Sequence, residues 1–329
     1  MNNKDQNTSP EILLAEDLKK TYGMRQALHG LSFSLKAGRI LGFLGPNGAG
    51  KTTSIRILTT MMEPDSGRFT VDGIQSKYPE EIRRRIGVLP ENLGFPRQIT
   101  AIEYLSYYGQ LYGQTNSEAK EIGMSLLEEV GLLKRAKSLV GTYSHGMRQR
   151  LGIARALVNS PSVVFLDEPT LGLDPRGQQE LLSLIQRIVQ ERNVGVVLCS
   201  HALSEIEAVC DDVVILMSGR VIASGTVSEV VGQTRRNALR IQVPSASAAE
   251  AERILNKMSD VRVTLTDESA GWLRIELIDH TDTDSTTDYL INNRILGALI
   301  NAYIPIMNFE AEGGSLQDIF LQLTEEAIK

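Results

Sequence analysis

One stretch of this chain decides its fold: Gly45-Pro46-Asn47-Gly48-Ala49-Gly50-Lys51-Thr52, followed by Thr53. It matches the Gly-x-x-x-x-Gly-Lys-Ser/Thr pattern in full. The glycines let the backbone curl so that successive N–H groups point at phosphates, Lys51 adds a positive charge, and Thr52 can ligate Mg²⁺. A purely structural glycine turn is the alternative, but an apolar run before the stretch and a helical pattern after it favour the phosphate site. The stretch therefore predicts a site for a nucleoside triphosphate with Mg²⁺.

Apolar runs and helical patterns alternate along the first two thirds of the chain. The apolar runs have the continuous character of strands buried on both faces of a sheet, and they cover 40–44, 163–166, 194–199 and 213–217. The helical patterns between them include 51–62, 147–158 and 177–191. This alternation predicts an α/β core. From about 94 to 158 strand-like runs disappear, which predicts an all-helical insertion.

Five large side chains in that insertion recur at three- and four-residue spacing: Tyr104, Tyr107, Tyr108, Leu111 and Tyr112. They can be read as a surface for a partner. Large side chains at this spacing are more often part of a core. We therefore expect them to be core residues.

The pattern changes after about residue 230, where apolar and polar residues alternate as in half-buried strands. The order is strand, helix, strand, strand, helix and a last strand at 303–310, in which Pro305 indicates an edge position. This order predicts a small α+β domain of the split βαββαβ, ferredoxin-like plan. We predict three segments: a flexible tail at 1–10, a nucleotide-binding domain at 11–232, and an accessory domain at 236–329.

Four aspartates in the accessory domain, Asp279, Asp282, Asp284 and Asp288, are spaced in a way that can suggest calcium binding. The calcium loop of helix-loop-helix proteins needs a central glycine and a closing glutamate, and neither occurs at the required position. A solvated loop is the expected structure.

Composition narrows the classes of function. With 42% hydrophobic and 22% charged residues in 329 positions, the chain is typical of globular proteins. It contains no apolar run of the roughly 20 residues that cross a bilayer, and its first ten residues lack the apolar segment of a secretory signal. The net charge of −6 and the shortness of the basic clusters argue against nucleic acid as a principal ligand. Two cysteines without metal-type spacing favour the cytoplasm.

The apolar run 163–166 ends in two carboxylates, Asp167 and Glu168. Asp167 suits the coordination shell of Mg²⁺, and Glu168 suits the polarisation of an attacking water. The alternative is that one of them only caps the following segment. His201 follows the run 194–199; a lone surface histidine is the default interpretation, but at the end of a core strand it can bond a γ phosphate and position water.

A second phosphate-binding helix start is suggested by Tyr143-Ser144-His145-Gly146-Met147-Arg148-Gln149. Ser144 suits the N-cap of a helix from about 147, whose dipole and free N–H groups would point at an anion. One subunit cannot easily fold both half-sites around one nucleotide. Two subunits would have to share it.

The ordered set of these motifs, with Leu171-Gly172-Leu173-Asp174, resembles the ATP-binding subunit of ABC transporters over residues 11–230. The resemblance implies a P-loop NTPase (RecA-like) core in which residues 45–53 bind ATP and Glu168, His201 and Lys51 act in hydrolysis. It implies that Tyr22 stacks on adenine, a core aromatic being the alternative, and that Asp174 contacts the opposite site of a dimer. It also implies that the γ phosphate held by the other subunit is bound by Ser144, His145, Gly146, Met147 and Gln149.

The sequence departs from the family at two positions. His145 stands where the family usually has glycine, so that its side chain can touch the nucleotide. Glu91, in Leu89-Pro90-Glu91, stands where the family typically has glutamine; it can still reach Mg²⁺ or water, but with a charge. In the family this loop borders a groove that receives a short helix of the permease.

Three features resemble the stand-alone ATPases of the daunorubicin-resistance and sodium-export type: Pro90-Glu91, Met-Arg-Gln-Arg after Gly146, and an extra domain ending at 315–320. This implies an exporter subunit acting as a dimer on a membrane permease, at the cytoplasmic face. A soluble ATP-driven clamp or regulator is one alternative, although tandem nucleotide domains, long coiled coils and zinc insertions are missing. A nucleotide sensor without turnover is another, and the intact catalytic set argues against it.

Overall fold

The computed structural model describes residues 10–92, 94–233, 238–258, 261–267, 270–277, 285–312, 315–317 and 319–320. The chain divides into two compact units, Met1–Val227 and Ser228–Lys329. Residues 1–9 of the predicted tail lie outside the described residues, as do Asp279, Asp282, Asp284 and the side chain of Asp288.

Among its described residues, the first unit has ten strands and seven α-helices, with short 3-10 turns at Leu133–Arg135 and Val140–Thr142. Its strands are β1 Glu11–Tyr22, β2 Arg25–Lys36, β3 Ile40–Leu44, β4 Ser66–Val71, β5 Ile74–Gln75, β6 Ile86–Leu89, β7 Val163–Asp167, β8 Gly195–Cys199, β9 Asp212–Met217 and β10 Arg220–Thr226. Its helices are α1 Lys51–Leu58, α2 Pro79–Arg83, α3 Ala101–Leu111, α4 Asn116–Glu129, α5 His145–Ala156, α6 Pro175–Arg192 and α7 Leu203–Val209.

A six-stranded sheet in the order β10-β9-β3-β8-β7-β6 forms the centre of this unit. All its neighbouring pairs are parallel except β9 with β10. Every residue of β3 and β8 is buried, as expected for strands covered on both faces. Since parallel strands end at the same edge, the loops after β3, β7 and β8 meet there. Those loops carry the residues of the phosphate loop, Glu168 and His201, and Asp167 is the last residue of β7 at the same edge.

A second, antiparallel sheet in the order β2-β1-β4-β5 was not expected from the sequence. The β1–β2 ladder has several register shifts, which break the strict alternation by which a strand is recognised. Leu13, Leu18 and Leu31 of this hairpin are fully buried. They pack in one cluster with Phe43 and Phe165 of the central sheet, so the two sheets share a hydrophobic core.

The segment 94–158 contains α3, α4 and α5 and, apart from one bridge between Thr100 and Leu139, none of its described residues forms a strand. Reciprocal capping boxes begin α3 and α4. The expectation that the five large side chains at 104–112 are core residues is wrong for three of them. Tyr104 is 3% exposed, but the exposed residues include Tyr107, Leu111 and Tyr112. The inward face of the helix is occupied at Ala101, Leu105 and Gly109 instead, which leaves Tyr107 and Leu111 outside.

The second unit has a hydrophobic cluster of its own, with Leu239, Ile241, Leu273 and Ile275 from the sheet and Ile295 from a helix. Helix α8, Val227–Gln233, precedes the strands of this unit in the chain. Its further elements are β11 Ala238–Gln242, the 3-10 turn Ser245–Ser247, α9 Ala248–Leu255, β12 Val261–Asp267, β13 Trp272–Leu277, α10 Ser285–Asn301 and β14 Asn308–Glu312.

The sheet of the second unit has the order β12-β13-β11-β14, and all its pairs are antiparallel. The strands and α-helices from β11 to β14 follow the chain order β-α-β-β-α-β. β14 lies at an edge of the sheet and begins at Asn308, beyond Pro305. Across both units, no helix among the described residues combines the length and apolar character needed to cross a bilayer.

Candidate active site

The phosphate loop connects β3 with α1 and has room only for glycine at two critical positions. Gly45 has a φ of +152°, and a Cβ there would lie 2.3 Å from the carbonyl oxygen of Leu216. Gly50, the N-cap of α1, has a φ of +114°, and a Cβ there would lie 2.8 Å from Cδ2 of Leu28. Both neighbours are in the core, so the loop conformation is fixed by close packing as well as by backbone freedom.

Lys51 begins α1, and its ammonium group donates hydrogen bonds to the carbonyl oxygens of Gly45 and Pro46. The charge is thus held over the loop that the sequence assigns to phosphates. Thr52 is exposed at the start of the helix, where a hydroxyl can reach a ligand. Ala49 is 2% exposed, so it would offer a ligand its backbone and not its side chain.

The carboxylate of Asp167, near this loop, is influenced electrostatically by those of Glu168 and Glu91. The pKa of Asp167 at the end of β7 is raised because the group is buried, and the negative charges of Glu168 and Glu91 raise it further. The positive charges of Lys51 and Arg56 oppose this shift. A divalent cation would relieve the repulsion, and the oxygens of Thr52, Asp167 and Glu91 are hard donors of the kind Mg²⁺ prefers. The donor set therefore fits the predicted metal.

Glu168 and His201 are in direct contact. Oε2 of Glu168 lies 2.8 Å from Nδ1 of His201. An ionised carboxylate can only accept, so Nδ1 of the imidazole donates and Nε2 is left for a ligand. Glu168 has a φ of +50°, and its N–H donates to the carbonyl of Cys199 at 2.9 Å. Such a backbone conformation is rare outside glycine and occurs at functional sites, where the surroundings enforce it.

Behind this pair lies a buried polar network that no sequence pattern predicted. Thr170 and Ser200 both donate through their hydroxyls to Oε2 of Glu205, over 2.7 and 3.0 Å. All three are less than 9% exposed. Ser200 also accepts from the N–H of Ala202 at 3.0 Å. The available signal was a glutamate directly before Ile206 in an otherwise apolar helix face, close after Ser200 and His201.

The second predicted phosphate site is the start of α5. Ser144 is the N-cap of this helix, and its hydroxyl accepts from the N–H of Met147 at 3.2 Å. The helix begins at His145, earlier than the expected 147. Nε2 of His145 lies 2.8 Å from the carbonyl oxygen of Leu171. Gln149, which was predicted to share this site, is only 2% exposed. It is therefore buried and does not lie on the exposed start of the helix.

Two further predicted residues lie at turns. Asp174 is the N-cap of α6, and its Oδ1 accepts from the N–H of Gly177 at 3.0 Å. Tyr22 ends β1 and is 43% exposed, so the alternative of a core aromatic is excluded. Next to it, Arg25 reaches the carbonyl of Gly48 at 3.5 Å, a contact that no sequence pattern indicated.

The family described as "ABC transporter" matches residues 28–171. The linearmycin resistance ATP-binding protein LnrL of Bacillus subtilis (strain 168) is 32% identical over 323 residues, covering 97% of this chain and 100% of that protein. The chain belongs to the ABC transporter ATP-binding protein family. The daunorubicin/doxorubicin resistance ATP-binding protein DrrA of Streptomyces peucetius is 35% identical over 327 residues, covering 97% of this chain and 94% of DrrA.

Solved structures of ABC transporter ATP-binding proteins have the fold of the first unit. One described as the ATP binding subunit of an ABC transporter is 32% identical, with a TM-score of 0.60, and covers 68% of this chain and 92% of its own. CbiO1 from Clostridium perfringens, described as part of the transporter complex cbiONQ, is 28% identical with a TM-score of 0.64, over 68% and 91% of the two chains. The resemblance inferred from the motifs, including its stand-alone branch, is confirmed, and so is the P-loop NTPase fold.

For an ABC transporter ATP-binding protein, binding of ATP or ADP and hydrolysis of ATP are family properties. The first unit also carries a cleft of about 500 Å³ next to the site. It is lined by Glu91, Asn92, Gly94, Phe95, Arg97, Val140, Gly141, His145 and Arg148. The two departures from the family pattern, Glu91 and His145, thus border one cleft between the central sheet and the helical segment.

Proposed function

We propose that this chain hydrolyses ATP to drive export of a compound through a separate integral-membrane permease, and that two copies close around two ATP molecules. The chain would lie on the cytoplasmic face of the membrane through that permease. The proposal takes its direction from relatives named for resistance to linearmycin and to daunorubicin and doxorubicin. Those names describe the relatives, and the exported compound would be selected by the permease.

The observation that carries the proposal is the contact between Glu168 and His201 beside Asp167 and the phosphate loop. Backbone N–H groups of residues 45–53 and the ammonium of Lys51 would bind the phosphates. Glu168 would polarise the attacking water, and Nε2 of His201 would hold the γ phosphate. Thr52, Asp167 and Glu91 would hold Mg²⁺, which would neutralise charge on the phosphates.

The dimer completes each site. The exposed start of α5, with Ser144, His145, Gly146 and Met147, would bind the γ phosphate held by the second copy, because a helix N-terminus attracts anions. Asp174 would contact the opposite site, and Tyr22 would stack on adenine. ATP closes the dimer to the extent that it binds the closed form better than the open one, and the two half-sites supply that difference.

Glu168→Gln gives the first test. Glutamine keeps the size of the side chain but is a far weaker base, so ATP binding should persist while turnover falls by at least about a hundredfold. The unhydrolysed nucleotide should hold two copies together, which size-exclusion chromatography with ATP and Mg²⁺ measures. Glu121→Gln, on the exposed side of α4, is the control and should behave as the wild type. Undiminished hydrolysis in Glu168→Gln would remove the assigned role.

The permease contact can be tested at the cleft. Arg97 is exposed at its rim, and both natural cysteines are buried, so Arg97→Cys supplies a single accessible thiol. With a short thiol-reactive crosslinker in membranes of the native host, this variant should form an adduct with an integral-membrane protein. A cysteine at Glu128, on the outer side of α4, is the control. Equal crosslinking from both positions would show that the cleft is not the docking site.

A further inference from the structure

We propose that His145 and Glu205 are positioning residues that hold the loop 169–174 from its two sides, so that the start of α5 and the segment containing His201 move as one unit. This inference rests on the proposed function, in which the start of α5 serves the nucleotide of the second copy while His201 serves the chain's own. The loop would then connect the two nucleotide sites of a dimer.

The first contact lies on the α5 side of the loop. Nε2 of His145 is 2.8 Å from the carbonyl oxygen of Leu171, and because a carbonyl oxygen only accepts, the imidazole N–H donates. Gly172 lies against the same ring: a Cβ built on it would be 3.5 Å from Nε2. A Cβ on Gly146 would be 3.5 Å from Cδ2 of Leu173. Two successive residues of α5 thus face three successive residues of the loop.

The second contact lies on the opposite side. Thr170 is 2% exposed and donates to Oε2 of Glu205 at 2.7 Å, and Ser200 donates to the same oxygen at 3.0 Å. Glu205 belongs to α7, and Ser200 precedes His201 directly. The carboxylate therefore joins the loop after β7 to the loop after β8. A charged acceptor shared by two buried hydroxyls is stronger than a neutral one.

The loop between the two contacts is itself stiff. The N–H of Leu171 donates to the carbonyl of Glu168 at 3.2 Å, and the N–H of Leu173 donates to the carbonyl of Thr170 at 3.1 Å. Asp174 then caps α6. A displacement of α5 at Leu171 is therefore passed on to Thr170 and Glu205 instead of being absorbed, because packed and hydrogen-bonded segments deform little.

The functional consequence is cooperativity between the two sites. When the second copy's nucleotide attracts the start of α5, the helix start is displaced. The loop then transmits this displacement to the contact between Glu168 and His201. Loss of either link should uncouple the two sites and slow turnover while ATP still binds. The donor of His145 and the hydroxyl of Thr170 are the atoms that matter, so each can be tested by a pair of variants that differ in that atom.

The kinetic test compares His145→Gln with His145→Leu, and Thr170→Ser with Thr170→Val. Glutamine and serine keep a donor; leucine and valine keep bulk without one. We expect kcat to fall about fivefold in His145→Leu and Thr170→Val, with KM for ATP within about twofold and the Hill coefficient reduced toward that of a non-cooperative enzyme. Thr170→Ser should stay near the wild type, and His145→Gln should keep a higher kcat and Hill coefficient than His145→Leu. Equal kcat and Hill coefficients within each pair would overturn the inference.

A spectroscopic test separates this inference from the proposed function. The chain has four histidines, so ¹⁵N-histidine labelling gives few signals, and His145→Gln assigns one by its loss. The inference expects the Nε2–H form of His145 in the nucleotide-free protein, and about fivefold faster amide exchange at Leu173 in His145→Leu. An Nδ1–H form, or unchanged exchange, would overturn it. If the wild type did not hydrolyse ATP, the proposed function would be rejected. The tautomer of His145 and the amide exchange at Leu173 would still decide whether the two contacts hold the loop.

Discussion

At the scale of single residues, the site contains a carboxylate whose surroundings disfavour its negative charge. Asp167 is partly buried at the end of β7 and faces the charges of Glu168 and Glu91. The resulting rise in its pKa means that the ionised carboxylate costs folding stability, which a bound cation would restore. Under the proposed function, catalysis and stability would therefore oppose each other at this position, as is common in active sites.

Asp167→Asn should make the nucleotide-free protein more stable at neutral pH and unable to hydrolyse ATP. A raised pKa in the folded state contributes stability only at low pH and loses it as the pH rises through the folded value. The increase in melting midpoint should therefore shrink as the pH falls toward the ordinary pKa of 3.8. Thermal unfolding with a metal chelator measures this.

Asp212→Asn is the matched control for that experiment. The carboxylate of Asp212 accepts two hydrogen bonds from Arg39, at 2.6 and 2.8 Å, so its loss should lower the melting midpoint. If Asp167→Asn also lowered the midpoint at neutral pH, the repulsion inferred among the three carboxylates would be contradicted.

At the scale of elements, helix starts carry both stability and ligand contacts. Ser144→Ala should lose the N-cap of α5 and cost about 1 kcal/mol, which lowers the melting midpoint by roughly 2–4 °C. Because α5 begins at the proposed half-site, the same change should weaken ATP-dependent dimerisation, measured by light scattering. Thr115→Ala removes the cap of α4 at a similar cost and should leave dimerisation intact. Equal dimerisation in the two variants would place α5 outside the shared site.

The elements that the sequence predicted share a regular signal. β3 and β7 are short apolar runs, and α6 begins with a proline, so each could be recognised locally. The hairpin β1–β2 was missed because its register shifts disturb the alternation of apolar residues. The direction of a side chain from α3 depends on which neighbours pack against the helix, and spacing alone did not separate Tyr104 from Tyr107.

The candidate site shows the same division between local and tertiary information. Glu168 and His201 could be assigned because each follows an apolar strand, but their contact at 2.8 Å depends on β7 and β8 being neighbours. The role of Glu205 could not be assigned, since a glutamate in a helix is usually solvated. Only the arrangement of the loops after β7 and β8 around it shows that its carboxylate is buried and shared.

At the scale of the whole molecule, each unit has its own hydrophobic cluster. A chain ending within 234–237 should therefore fold and bind ATP with the affinity of the full chain, and calorimetry should show one unfolding transition where the full chain shows two. Its ATP-dependent dimerisation then tells whether the second unit is needed for association. A truncated chain that does not fold would show that the first core is insufficient by itself.

The two cysteines of the first unit can report how often that unit opens. Cys199 and Cys210 are buried, and burial raises the pKa of both thiols, so neither is a reactive thiolate in the folded protein. The second unit contains no cysteine. An alkylating reagent added to the native protein would thus react only when the nucleotide-binding unit opens. The factor by which ATP slows this alkylation would measure how strongly the nucleotide stabilises the closed, folded unit.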